Sequence, residues 1–240
     1  MRRFAYLIVL FALLFSASAV AAQEATPEAT SEVEQTLSEI FAGLPQSRTE
    51  DGGYVVGEPD APVTIIEFAD FACPHCQDYR EVIDQAIVNF VATGQAKFEL
   101  RIFPTAGGEI TYFVGKLVEC AEEQSPGAFW QSYELLYDYA TSRQYTASVG
   151  RRLAADLDLN YSTLRACAED AMQIDTDMAQ AREWGVNGTP AIMVRLGDSE
   201  PQFIVYDGVT FDRGGVPYEL LDWVVTNPDI EPVTPEAEVI

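Results

Sequence analysis

Hydrophobic and polar positions change period several times along the chain, and each change marks an element. "PVTIIEF", residues 62–68, is a short β-branched apolar run of strand length. From Pro74 the repeat lengthens. Tyr79, Val82, Ile83, Ala86, Ile87, Phe90 and Val91 recur at three and four, which predicts a helix that Gly94 stops. "AKFELRIF", 96–103, reads as a second strand, so a strand–helix–strand unit comes first. Residues 107–183 read as helical throughout. "EITYFVGKLVECAEEQ" is one helix, and "AFWQSYELLYDYA" is another, started by Ser125, Pro126 and Gly127. "VGRRLAADLDL" and "STLRACAEDAMQIDTDMAQAREWG" supply the rest. "TPAIMVRL" and "PQFIVYD" alternate like two strands joined by "GDSE", and "VPYELLDWVVTN" closes as a helix with Pro217 near its first turn. The order β-α-β, helical block, β-β-α predicts an α/β domain with a helical insertion at about 107–183.

The two ends have a different character. Arg2 and Arg3 precede the apolar run "FAYLIVLFALLF", and Ala19-Val20-Ala21 follows as a small-x-small site. Residues 1–22 therefore read as an export signal, with an uncleaved N-terminal anchor over residues 4–22 as the alternative. Residues 23–53 read as an acidic linker with a short helix, in which Ser31 and Glu34 form a capping box and Val33, Leu37, Ile40, Phe41 and Leu44 share a face. The core domain is expected over 54–226, and 227–240, rich in Pro and Glu, as a disordered tail.

Composition narrows the partners. With 38 acidic against 14 basic residues the net charge is −24, which repels nucleic acid and anionic lipid surfaces. The four cysteines are an even number, and export to an oxidising compartment favours disulfides over free thiols.

The candidate chemistry lies in "FADFACPHCQDYR", where Cys73 and Cys76 flank Pro74 and His75. Zinc would need a second ligand pair, but Cys120 and Cys167 are isolated and His75 is the only histidine. An inert disulfide across so small a loop would stabilise little. Copper carriage would call for nearby Met or His ligands, and none of the four methionines adjoins the motif. A redox pair remains, with no metal and no bound cofactor. Cys73 falls where the helix begins, so backbone N–H groups and the helix dipole favour its thiolate. Pro74 suits the first helical position, His75 can add positive charge or a hydrogen bond, and Cys76, one turn in, is the resolving thiol. The lone histidine also leaves a Ser-His-Asp or Cys-His hydrolase only His75 to use, and no GxSxG, P-loop or HExxH pattern occurs.

With these residues in view, "GEPDAPVTIIEFADFACPHCQDY", "CAEEQSPGAFWQSYELLY" and "WGVNGTPAIMV" resemble the DsbA-like family of exported thiol:disulfide oxidoreductases, over roughly Tyr54 to Thr226. The resemblance implies a thioredoxin-like fold with a helical insertion. It implies that Pro190, preceded by Thr189, is cis and faces the cysteines, leaving loop backbone free to pair with extended substrate. It makes Glu67 a buried acid used in proton handling, with a raised pKa if buried. It allows a structural disulfide between Cys120 and Cys167. The implied reaction starts from a Cys73–Cys76 disulfide and introduces disulfides into unfolded or reduced exported polypeptides. A quinone-linked membrane partner, DsbB-like or vitamin K epoxide reductase-like, would restore the enzyme. Because so little precedes the core, a monomeric oxidase is favoured over a dimeric isomerase or a reductase. A non-enzymatic chaperone-like holdase is the rival from another class.

Overall fold

The structure, a computed structural model, describes residues 37–228. The export-signal segment, the capping box at Ser31 and Glu34, and the tail beyond residue 228 lie outside the described residues.

The centre of the sheet is β3 (Val63–Ala69), buried at every position because both its faces are covered. It pairs in parallel with β4 (Ala96–Ile102) and antiparallel with β5 (Ala191–Leu196). Beyond β4 lie β2 (Tyr54–Val56) and β1 (Gln46–Arg48), and beyond β5 lies β6 (Gln202–Phe203), so the order is β1-β2-β4-β3-β5-β6. The sheet thus begins at Gln46, inside the stretch expected to be linker. The helical segment α1, described over residues 37–43, buries Leu37 and Phe41 in the same core, with Phe41 stacked on Trp130.

Between β3 and β4 runs α2 (Pro74–Ala86), which continues as one π-helical turn over Ile87–Val91 before Gly94 turns the chain at φ +76°. One face of the sheet, formed by Val63, Ile65, Ala69, Phe98 and Ile102, packs on Cys76 and Ile83 of α2 and on the aromatic helix α4 (Ala128–Thr141). The C-terminal helix α8 (Tyr218–Thr226) joins this core through Leu221, Val224 and Val225. The opposite face, with Ile66, Phe68 and Met193, packs on Ala181 of α7 (Gln173–Glu183).

The helical insertion comprises α3 (Glu109–Gln124), α4, α5 (Val149–Asp156), α6 (Tyr161–Cys167) and α7. It has a small core of its own in which Leu117, Ala154 and Leu164 meet, and there Cys120 is joined to Cys167, with Cα atoms 5.9 Å apart. The helical stretch 162–185 is divided between two helices, α6 and α7. The disulfide holds the end of α6 on α3, Lys116 Nζ donates to the Ala171 carbonyl, and Glu119 accepts from the first amide of α7. These α3 anchors turn the chain where periodicity alone would continue it. "PQFIVYD" is likewise not one strand. Ile204 turns into the core, and residues after it form β7 (Val205–Tyr206), which pairs with β8 (Val209–Thr210) as a separate hairpin. Its turn is Asp207-Gly208, both at positive φ, a pairing that favours a two-residue hairpin.

Candidate active site

Cys73 is the N-cap of α2 and Pro74 opens the helix, so the first thiol stands at the helix end with its free N–H groups. Cys76 lies one turn in. Both are free thiols here, the reduced form of the pair. Cys73 is 6% exposed and Cys76 is fully buried, whereas Pro74 and His75 are exposed at the rim. Among the described residues His75 makes no hydrogen bond to the Cys73 sulfur.

Across from the pair, the Thr189–Pro190 peptide is cis, and the Cys73 thiol donates to the Thr189 carbonyl at 3.4 Å. A loop after β8 ties this peptide to α2. Gly214 N–H donates to the Pro190 carbonyl at 2.8 Å, and two residues on, the Tyr79 hydroxyl donates to the Val216 carbonyl and accepts from its amide. Gly215, at φ +85°, lies against the Tyr79 ring, where an added Cβ would stand 2.3 Å from a ring carbon. Only glycine passes there, so the junction of helix, loop and cis peptide depends on it.

Beneath the pair lies Glu67, on β3 and 1% exposed, with no hydrogen-bond partner for Oε2. Burial, and secondarily the charge of Asp84, push its pKa up to about 8. The Tyr133 and Tyr137 hydroxyls on the same side also lack partners. The Cys76 thiol is pushed up strongly by its burial and then by Glu67, against smaller opposing influences from the Asp70 backbone and the Thr189 side chain. Cys76 therefore holds its proton, while Cys73, at the helix cap, keeps the slight exposure that Cys76 lacks. That asymmetry suits thiol–disulfide exchange, in which one sulfur is attacked and the other leaves and returns.

Sequence reasoning missed Asp70. It sits three residues before Cys73, fully buried, and its carboxyl accepts from the amides of Ala72, Thr105, Ala106 and Gly107 and from the Thr111 hydroxyl, all at 2.6–3.0 Å. Its own carbonyl accepts from Cys73 N–H. An acid directly after the strand and just before the motif was the available signal. It also missed Thr105, whose hydroxyl lies 2.5 Å from that of Thr189. Cys120 and Cys167, also candidates, stand apart from this site in the helical insertion.

Comparison with known proteins accords with this geometry. The sequence profile of the family described as thioredoxin matches residues 49–197. The chain is 30% identical over 148 residues to the Na(+)/H(+) antiporter NhaA 3 of Salinispora tropica, covering 60% of this chain but only 22% of that relative. It is 24% identical to disulfide bond formation protein D of Bacillus subtilis, covering 60% of this chain and 68% of that protein. Among solved structures, Wolbachia pipientis alpha-DsbA1 superposes with a TM-score of 0.60 at 20% identity, over 75% of this chain and 92% of that one. The chain belongs to the thioredoxin family and has the DsbA-like form of its fold, in which helices are inserted into the thioredoxin sheet.

Proposed function

We propose that this protein is a thiol:disulfide oxidoreductase that donates disulfides to reduced polypeptides outside the cytoplasm. The observation that carries this reading is Cys73 at the N-terminus of α2, its thiol bonded to the Thr189 carbonyl, with Cys76 fully buried one turn behind it.

The working form holds a Cys73–Cys76 disulfide. A substrate thiolate attacks Cys73 Sγ, the enzyme disulfide breaks, and its electron pair leaves on Cys76, which takes up a proton. A second substrate thiolate attacks the substrate sulfur of the mixed disulfide and expels Cys73. The substrate leaves oxidised, and its two electrons remain on the enzyme dithiol. Cys73 is exchanged because it keeps a slight exposure at the helix cap, which Cys76 lacks. Cys76 leaves and returns because it is enclosed, and Glu67 beside it buffers its proton. The Thr189–Pro190 loop, across from Cys73, and the exposed Pro74 are where an extended chain would dock. His75 stands exposed beside the pair, where an incoming chain would meet it. The dithiol is returned to the disulfide by a quinone-linked membrane partner, DsbB-like or vitamin K epoxide reductase-like. The protein acts as a monomer, exported by residues 1–22 or anchored by residues 4–22. Cys120–Cys167 has no part in the exchange and constrains the insertion.

Equilibration of the purified protein with glutathione buffers tests the direction. A potential near about −120 mV supports disulfide donation, and one near about −270 mV overturns it in favour of a reductase. Cys73→Ser must abolish oxidation of a reduced polypeptide. Retention of the effect on that polypeptide would make the protein a holdase instead.

A further inference from the structure

Cys73 makes a hydrogen bond that only one redox form of the pair can make. In the dithiol its S–H donates to the Thr189 carbonyl at 3.4 Å. A disulfide sulfur has no hydrogen to donate, so the bond is lost when the pair is oxidised. Whatever holds that carbonyl in place therefore favours the dithiol over the disulfide. It makes the disulfide easier to pass on.

Thr189 lies outside the paired register of β5 on β3, which begins at Ala191. The next carbonyl, that of Pro190, accepts from Gly214 N–H at 2.8 Å. Thr189 itself is tied through its side chain. Its hydroxyl oxygen lies 2.5 Å from that of Thr105, in the β4–α3 loop.

That loop is clamped in turn. One Asp70 carboxyl oxygen accepts from three successive amides, of Thr105, Ala106 and Gly107, at 2.7–2.8 Å. The other accepts from the Thr111 hydroxyl at 2.6 Å and the Ala72 amide at 3.0 Å. The Thr105 hydroxyl is 3.5 Å from the first oxygen, a far weaker contact than its 2.5 Å approach to Thr189. Gly107 permits the clamp, because a Cβ there would lie 2.0 Å from the Thr111 hydroxyl oxygen and 3.1 Å from Asp70 Oδ1. The Asp70 backbone carbonyl meanwhile accepts from Cys73 N–H at 2.9 Å. Asp70 thus fixes the backbone of the thiol donor directly, and that of its acceptor through Thr105.

We propose that Thr105 is a positioning residue for the exchange: its hydroxyl, on the loop fixed by Asp70, holds the Thr189 carbonyl against the Cys73 thiol and so stabilises the dithiol. Thr105 touches neither sulfur and is exposed, so it acts through Thr189 alone. The inference rests on the thiol–disulfide reading above and adds a residue far from the motif that sets how readily the disulfide is given up.

The test is the equilibrium of the full-length protein with glutathione, read at Cys73 and Cys76. The protein dithiol passes two electrons and two protons to one glutathione disulfide, so that the Cys73–Cys76 bond and two glutathione thiols form. Thr105→Val keeps the shape and removes the hydroxyl. It should move the equilibrium toward the protein disulfide by about threefold or more, as expected for one hydrogen bond from a weak donor. Thr105→Ala should move it the same way, and Thr105→Ser should return it to the wild-type value. Urea unfolding of the two redox forms separates this role from a merely structural one. Thr105→Val should destabilise the dithiol more than the disulfide, by the same factor that the equilibrium shows. An unchanged equilibrium, with both forms weakened equally, overturns the proposal, because the hydroxyl then serves the fold alone. A shift toward the dithiol, or a Thr105→Ser protein that behaves like Thr105→Val, overturns it as well. Failure of the wild-type protein to exchange with glutathione at all overturns the thiol–disulfide reading, and this inference with it.

Discussion

Adjacent strands place a carboxylate on each face of the same sheet, and the two are treated in opposite ways. On the α7 side, Glu99 of β4 bonds Arg101 at 2.7 Å and Arg195 at 3.2 Å. Arg101, itself fully buried, also reaches Asp51 and Asp177 and lies over the Trp184 ring. Burial works against the Arg101 charge, but its hydrogen bond to Asp51 and the charges of Glu99 and Asp177 outweigh it and raise its pKa. On the α2 side, Glu67 of β3 has, among the described residues, no ion-pair partner and no hydrogen-bond partner for Oε2, and its pKa rises to about 8. The register explains the division. Glu67 stands opposite Leu100 and Glu99 opposite Ile66, so the two acids point to different faces. A buried acid matched with cations ties elements together, whereas one left unmatched is poised to hold a proton. The unmatched acid is the one beside Cys76.

The matched face should break hardest. Arg101→Met leaves Glu99 and Asp177 buried without their shared cation and should cost about 3–5 kcal/mol of stability, measured by urea unfolding. The glutathione exchange rate of the folded fraction should not change, because no Arg101 partner touches the site. A loss below about 1 kcal/mol would mean that the network is not structural and would remove half of the comparison.

Glu67→Gln probes the unmatched acid. Between its ordinary value of 4.5 and its folded value of about 8, Glu67 keeps a proton in the folded state that the unfolded chain has lost. The wild type therefore loses stability as pH rises through that window, and the uncharged variant does not. Relative to wild type, Glu67→Gln should gain stability from about pH 5 upward and level off above about pH 8, by no more than a few kcal/mol. Unfolding curves across that range check the sign. A stability difference between variant and wild type that does not change with pH would mean that Glu67 ionises at an ordinary pKa and is no proton store.

The two faces were unequally legible in the sequence. The motif and the helical period singled out Cys73 and Cys76, and the family resemblance singled out Glu67 and Pro190. α3 was legible to the residue, since its amphipathic repeat is uninterrupted and Ser125, Pro126 and Gly127 end it. The Arg101 network was not legible. Its members stand at 51, 99, 101, 177 and 195, and only tertiary packing brings them together. The same holds for Asp70, whose partners lie mostly in a loop 35–37 residues away. The stretch 45–53 looked like linker because three polar residues, Gln46, Ser47 and Arg48, make an exposed edge strand with no apolar alternation to betray it.

The smallest effect sharpens the comparison within the matched face. Arg195, on β5 and 22% exposed, meets only the second oxygen of Glu99, at 3.2 Å. Its guanidinium keeps access to water, so losing the bond releases a partly hydrated charge and leaves Glu99 still held by Arg101. Arg195→Met should therefore cost about 1 kcal/mol, well below Arg101→Met, although both variants delete one arginine from the same carboxylate. The double variant should cost more than the sum, because each cation partly compensates for the loss of the other. Additive costs in a double-mutant cycle would show that Glu99 is stabilised by two independent contacts. The contrast with Glu67 would then be one of contact number, not of a shared charge network.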